Sequence, residues 1–529
     1  MQKIVKDLIE KILEREVVLE KPKDISLGHY ATPVAFSLAK ELRKNPMIIA
    51  EELASKFDDE SIFESVTAIK GFVNFKLSNS FLENLVNKAI ENQESFAQGD
   101  TKEETILLEY VSANPTGPLH IGHARGAIFG DTLKRVGTYL GYNVTTEYYI
   151  NDAGAQMDML GLSVALAGRD FILNEDVEYP ETYYRGDYLI DIAKKLQAQH
   201  GDEIFHDESR YREMADFAKD IVMDIIGQSL ADIGIEFDNF VSEASLYSSW
   251  DETKEVLESN GSLYSKDEKI YLKSTEHGDD ADRVVVRDNG IPTYLAGDII
   301  YHKDKYDRGY DRYINIWGAD HHGYIKRVKA AIEFLGNKSD KLEILLSQMV
   351  QLLKGGEPYK MSKRAGNVIL MSDIANEIGA DALRFIFLTK KSDTHLEFDL
   401  DMLKNQDSSN PIFYINYAYA RINQVFKKAQ KSRNDVIINK LSGENSDALD
   451  LVYQSLLLPS VLEEAFAKRD MQKITDFLYS LAALVHRFYN EYKIVGNEKE
   501  DEYLKVLAMA SVSIKTGLKL LGINAKEVM

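Results

Sequence analysis

Apolar residues recur at spacings of three and four through the last third of the chain. Ile474, Phe477, Leu478, Leu481, Leu484, Val485 and Phe488 share one helix face, and neither Gly nor Pro interrupts Ile474 to Tyr492. After Pro411 only Pro459 remains. Residues 395–529 therefore read as an all-helical domain. At the other end, helical stretches over 1–15 and 33–55 precede the alternating segment Val66 to Leu77, so residues 1–95 read as a small α+β domain. The acidic, polar run from Glu91 to Glu104 reads as a linker. Between these, strand and helix alternate. Ile106–Val111 is a buried strand. A helix follows through Phe129, Leu133, Val136 and Leu140, Gly141 stops it, and Val144–Ile150 is the next strand. That is a βαβ unit. Tyr313–Trp317 and a helix through Ile325, Val328, Ile332 and Leu335 make a second. Residues 105–390 thus read as a parallel-sheet α/β domain, with acidic helices and a hairpin-like stretch over about 160–280 as an insertion.

Composition narrows the setting. The 63 basic and 85 acidic residues leave a net charge of −22, which excludes general adhesion to nucleic acid or anionic lipid but not a local basic face. Cysteine is absent, which removes disulfides, thiolate metal sites and thiol nucleophiles together. No apolar run reaches the ~18–20 residues that cross a bilayer. The first fifteen residues are too charged for a signal-peptide core. A cytoplasmic enzyme is expected.

Two elements carry chemistry. Asn114-Pro-Thr-Gly-Pro-Leu-His-Ile-Gly-His123 joins the first central strand to its helix. Ligands of parallel sheets bind beyond the carboxyl ends of the strands, where a helix start offers N–H groups to phosphate. His120 and His123 can donate to phosphate oxygens, and Gly122 permits close approach. The second element, Lys360-Met-Ser-Lys363 with Arg364, follows Gly355-Gly356. Two lysines three apart in a glycine-flanked loop suit the charge that grows on departing pyrophosphate.

In this order, about 240 residues apart, these elements resemble the paired signatures of class I aminoacyl-tRNA synthetases. His120-Ile-Gly-His123 matches the first in full. Lys360-Met-Ser-Lys363 matches the second, with Arg364 where Ser is common. Other segments narrow the resemblance to arginyl-tRNA synthetases: Gly28-His-Tyr-Ala-Thr32, Gly71-Phe-Val-Asn-Phe75, Ser112 to His120, Tyr149-Ile-Asn-Asp-Ala-Gly154, Asp381-Ala-Leu-Arg384, Asp393 to Asp399, Asn410 to Arg421, and the stretch from Leu520 to Met529. The resemblance covers essentially the whole chain. It implies a multidomain α/β protein: a Rossmann-like catalytic domain with an insertion, a small α+β N-terminal domain that meets tRNA, and an all-helical anticodon-binding domain.

The resemblance also implies a reaction. Arginine attacks the α-phosphate of ATP, and the arginyl group of the adenylate then passes to the tRNA terminal ribose. Magnesium would enter with the ATP phosphates; no dedicated metal cage and no tightly bound cofactor are expected. His120, His123, Lys360 and Lys363 become the catalytic candidates. ATP would meet His120, Gly122, His123, Gly318, Asp320, Lys360, Met361 and Lys363. A guanidinium is best met by carboxylate oxygens. Tyr294 and Asp298, four apart, match the family's arginine pocket. Ser112, Asn114 and His123 would serve the substrate's other groups, Glu109 would supply a second acidic contact, and His322 stands where some relatives carry Gln.

For RNA, Phe72 and Asn74 match N-terminal positions near the tRNA elbow. Arg421 and Tyr489 are candidates in the helical domain, among Tyr414, Tyr417, Tyr419, Phe488 and Tyr492 and the basic run Arg421 to Arg433. The expected partners are tRNA for arginine, L-arginine and ATP, with no membrane, and the chain acting as a monomer. The alternatives are a class I synthetase for another amino acid and a non-catalytic synthetase-like RNA-binding protein.

Overall fold

The computed structural model describes residues 1–22, 24–359 and 369–529. Near the N-terminus, β1 (Tyr30–Thr32), β2 (Phe63–Ile69) and β3 (Phe72–Leu77) form an antiparallel sheet in the order β1-β3-β2. Lys70 (φ 51°) and Gly71 (φ 83°) form the two-residue link between β2 and β3. Positive φ at both central residues is the geometry that matches the twist of a hairpin. The helical stretch expected over 33–55 is two helices, Val34–Leu42 and Pro46–Ala54. Arg43 (φ 51°) ends the first; Asn45 caps the second by accepting the Met47 N–H, with Pro46 in its first turn.

The centre of the molecule is a five-stranded parallel sheet. Its strands are β4 (Thr105–Glu109), β5 (Asn143–Ile150), β6 (Asn239–Ser242), β10 (Arg312–Gly318) and β11 (Leu342–Ser347), in the order β11-β10-β4-β5-β6. Ile106, Leu107, Leu108, Tyr313 and Ile314 are buried. Such doubly covered strands read as continuous apolar runs, which is why they were legible. The segment over 160–280 is not one uninterrupted insertion. After the helices Ala155–Phe171, Asp187–His200 and Tyr211–Ala231, the chain returns to the sheet as β6. With four residues and partial burial, β6 carries too little pattern to be seen. A small antiparallel sheet follows, β7 (Leu263–Lys266), β8 (Lys269–Leu272) and β9 (Arg283–Val286), which packs against the helix Tyr294–Asp307 through Leu272, Val285, Leu295 and Ile299.

A fourth sheet joins β12 (Val350–Lys354), β13 (Glu357–Pro358) and β14 (Leu396–Asp399). The remainder is helical: Pro411–Ala429, Ser446–Ser455, Leu458–Ala467, Gln472–Glu491 and Glu500–Leu520. Leu504 to Ala510 in the last helix are all buried, so it forms the axis of this domain. Among the described residues no helix is long and apolar enough to cross a membrane.

Candidate active site

The site begins where β4 ends. Val111 (φ 68°) and Ser112 (φ 41°) are both left-handed, and the Ser112 N–H bonds the Tyr110 carbonyl at 3.0 Å. This is a tight three-residue turn that costs a β-branched residue about 1–3 kcal/mol. It folds Ser112 back over the strand end, where its Oγ donates to Glu109 Oε1 at 2.9 Å and accepts the Tyr149 N–H at 3.2 Å. The hydroxyls of Tyr148 and Tyr188 hold the following loop by its Ala113 and Thr116 carbonyls, at 2.9 and 2.6 Å. Asn114 stands exposed between these anchors.

The loop delivers the chain into the helix Ile121–Tyr139. His120 caps that helix: its Nδ1 accepts the Gly122 N–H at 3.1 Å, and His123 Nδ1 accepts the His120 N–H at 3.3 Å. The rings stack at 3.7 Å. With both Nδ1 atoms accepting, each imidazole carries its proton on Nε2. Burial lowers the pKa of both, His123 to about 3, so both are neutral donors at physiological pH. A Cβ on Gly122 would stand 2.9 Å from the His120 ring, so glycine here makes room for the cap itself.

Lys360, Met361 and Lys363 lie outside the described residues. The chain that follows them does not. The Ile121 N–H bonds the Ile369 carbonyl at 2.8 Å, the Met371 N–H bonds the Leu119 carbonyl at 2.9 Å, and Leu370 pairs with His120. The segment after the second signature is therefore stitched to the first.

Beyond β4 and β5 lies an acidic pocket. Glu109 is buried, one oxygen paired with Lys305 and the other with Ser112. Asp298, half-buried on the helix Tyr294–Asp307, has no such partners among the described residues. Burial, Glu243 and Glu109 raise its pKa to about 7, and Arg327 and Lys305 only partly oppose them. Glu243 is the residue that sequence reasoning missed. It opens the short helix Glu243–Leu246 directly after β6, is buried, and leaves Oε2 without a partner among the described residues, while Tyr247 donates to Oε1 at 3.2 Å. Burial raises its pKa also to about 7. Asp152 fixes this corner by accepting from Ser242 Oγ and from the Ala244 N–H at 2.9 Å. Tyr149 stacks on Tyr301 at 4.2 Å as one wall, and Tyr294 is half exposed. Two carboxyls that share a site and have no paired cation among the described residues hold protons that a bound cation would displace.

Gly318, Asp320 and His322 stand exposed at the carboxyl end of β10. The RNA candidates divide. Phe72 is half-buried and meets Phe36 edge-on at 5.3 Å. Asn74 is buried within its sheet, its amide turned to the Phe72 and Thr67 carbonyls, so its position serves the hairpin instead of facing outward. Arg421 lies between the rings of Tyr417 and Tyr489, at 4.5 and 4.4 Å, beside His486. Tyr414 and Tyr479 continue this stripe. Tyr419 and Phe488 are core residues, and Lys431 is paired with Glu500 and Asp501.

Three family models match the chain in succession: an arginyl-tRNA synthetase N-terminal domain over residues 1–77, a class I (R) tRNA synthetase catalytic domain over 85–426, and a DALR anticodon-binding domain over 415–529. The chain belongs to the arginyl-tRNA synthetase family. The arginine–tRNA ligase of Aliarcobacter butzleri is 71% identical over 529 residues, all of both chains, and that of a Nitratiruptor species is 58% identical over the same span. The arginyl-tRNA synthetase structure from Thermus thermophilus shares the fold, with a TM-score of 0.77 at 20% identity over the whole of both chains.

Proposed function

We infer that this chain is an aminoacyl-tRNA ligase that attaches L-arginine to its tRNA, using ATP and passing through arginyl-adenylate. The observation that carries the amino acid is the pair Asp298 and Glu243, two carboxyls that no cation among the described residues pairs with, at the end of the sheet. A guanidinium supplies the planar fork of donors they lack. Ser112 and Asn114 border the pocket on the side that leads to the histidines. His120 and His123 donate to ATP phosphate from Nε2 without carrying charge. Lys360 and Lys363 neutralise the departing pyrophosphate, and Gly318, Asp320 and His322 border the adenosine. Magnesium comes with the nucleotide as part of the substrate. The stripe formed by Tyr479, Tyr414, Arg421 and Tyr489 meets unstacked bases of the tRNA, and Phe72 meets it elsewhere. The chain works as a monomer in the cytoplasm.

The test is ATP–pyrophosphate exchange and charging across the amino acids, each with and without tRNA. Arginine alone should support both. Full exchange with another amino acid would overturn the reading.

Two further outcomes are expected. Burial pushes both pocket carboxyls up to about 7, and a guanidinium favours their ionised forms. Arginine binding therefore releases protons below that pH. Its affinity should rise about tenfold or more from pH 6 to 8 and then level off. The charged groups around Asp298 are Glu243, Glu109, Arg327 and Lys305. Because the folded-state pKa values are raised, these carboxyls favour folding below the usual carboxylate range and lose that contribution as pH climbs through about 7. The ligand-free protein should melt earlier at pH 8 than at pH 6, and arginine should narrow the gap. Calorimetry in buffers of different ionisation enthalpy reads the released protons directly.

Gly122→Ala should fold normally, because the added methyl meets only the His120 ring. That ring must move off its backbone N–H, and misplacing a catalytic donor by a fraction of an ångström to one ångström should slow adenylate formation about ten- to a hundredfold. A single-turnover rate equal to wild type would show that the ring does not touch ATP.

A further inference from the structure

The segment Tyr149-Ile-Asn-Asp-Ala-Gly154 places an acid, Asp152, two residues beyond β5. Ile150, the last residue of β5, pairs with Ser242, the last residue of β6. The two strands therefore release their chains side by side at the carboxyl end of the sheet. A buried carboxylate there is costly unless its lone pairs are filled. Asp152 is 2% exposed, and its oxygens are filled from three directions. The Ser242 hydroxyl lies 2.9 and 2.8 Å from the two oxygens, the Ala244 N–H donates to Oδ1 at 2.9 Å, and the Lys219 ammonium stands 3.3 Å from Oδ2. Arg212 donates to the Asp152 carbonyl at 3.3 Å. Lys219 and Arg212 both belong to the helix Tyr211–Ala231, so a third segment holds Asp152 itself in place.

Ser242 and Ala244 are the two neighbours of Glu243. One carboxylate thus grips the chain on both sides of the residue whose side chain enters the acidic pocket. Ser242 Oγ carries the grip onward by accepting the Ser245 N–H at 3.3 Å. The Glu243 side chain has little room. Its Oε1 takes the Tyr247 hydroxyl at 3.2 Å, and a Cβ on Gly297, the residue before Asp298, would overlap the same oxygen. A small rotation of the backbone at 243 would carry the carboxyl into that helix or away from Asp298.

We propose that Asp152 is a positioning residue for amino-acid selection: by holding Ser242 and Ala244 it fixes the backbone of Glu243 and aims that carboxyl, beside Asp298, at the guanidinium. The proposal rests on the reading of this pocket as the arginine site.

Asp152→Ala removes both grips. The arginine KM should rise about ten- to a hundredfold, the loss that follows from misplacing a contact by up to about one ångström. The KM for ATP should stay near wild type, since the histidines follow β4 and are untouched. Asp152→Asn keeps an oxygen for the Ala244 N–H and offers an amide N–H to the Ser242 hydroxyl, so it should return the arginine KM to within about threefold of wild type. Glu243→Ala leaves no carboxyl to aim. Adding Asp152→Ala to it should change the arginine KM far less than Asp152→Ala does alone, the non-additivity of residues that act through one another. Equal factors in the two backgrounds would show that Asp152 does not act through Glu243, and the proposal falls. It also falls if Asp152→Ala binds arginine like wild type, if it raises the KM for arginine and ATP alike, or if Asp152→Asn is as poor as Asp152→Ala.

Thermal melts screen each protein. Should Asp152→Ala not fold, the half-buried Ser242 supplies the second variant. Ser242→Ala removes one grip and should raise the arginine KM about threefold or more, again only where Glu243 is present. An unchanged KM there would overturn the proposal. Wild-type charging with arginine is measured in the same series. Its failure would overturn the functional reading, whereas wild-type charging with equal factors in both backgrounds would overturn only the role given to Asp152.

Discussion

Asp298→Asn should lose arginine about 30-fold to a few thousand-fold in kcat/KM while keeping its fold. Losing one member of a desolvated, hydrogen-bonded charge pair costs about 2–5 kcal/mol, at about 1.4 kcal/mol per decade. The amide has the size of the carboxyl, so no core volume changes. Citrulline, a neutral near-isostere of arginine, brings no charge to lose and should suffer far less. The arginine-to-citrulline preference should then shrink by about tenfold or more. Exchange assays with both amino acids, tRNA present, read the ratio. An unchanged ratio would make Asp298 an ordinary helix residue and leave Glu243 as the carboxylate that selects the guanidinium.

Arg384→Ala should be the most damaging change to stability. Arg384 is buried, and its guanidinium spans three parts of the chain. Nε donates to the Leu521 carbonyl at 2.6 Å, one terminal nitrogen to the Ile233 carbonyl at 2.9 Å, and the other pairs with Asp131 on the helix Ile121–Tyr139. Truncation leaves Asp131 buried, with Arg135 as its remaining partner at 2.6 Å. Breaking a buried pair in this way costs about 3–5 kcal/mol. Arg384→Lys should restore little of the loss, because one ammonium cannot reproduce a planar fork with three acceptors. Thermal melts of wild type and both variants test this. A lysine variant as stable as wild type would show that only the charge matters.

The contrast between Asp298 and Glu243 shows what the sequence makes legible. Asp298 stands four residues after Tyr294 in a recognisable segment, so pattern and spacing both expose it. Glu243 sits in Ser-Glu-Ala-Ser, where an acid after a capping serine reads as an ordinary partner for a helix dipole. What marks it is position: it follows β6 at the carboxyl end of the sheet. That strand is too short to announce itself, and the neighbours that bury the side chain come from distant segments. The reverse holds for Asn74 and Tyr419. Both have side chains suited to RNA, yet one lies inside a sheet and the other in a helical core. Composition reveals chemistry but not which way a side chain faces. Arg384 belongs to a motif legible at once, but its three carbonyl and carboxylate partners come from residues 131, 233 and 521, which no local spacing connects.

Asn315, Glu109 and Glu147 lie side by side on β10, β4 and β5, so this buried polar row is set by the register of the central sheet instead of by loops. Register shifts by whole residues or not at all, and a slip of one in any of these strands would turn that strand's side chain to the opposite face. A row built this way does not soften as surface segments loosen on warming. It should persist until the sheet itself opens, because the elements that hold it belong to the most stable part of the molecule. Rebuilding the row would require coordinated replacement of buried polar groups across three strands and the helix that covers them, so it should resist drift even while surface loops vary in length.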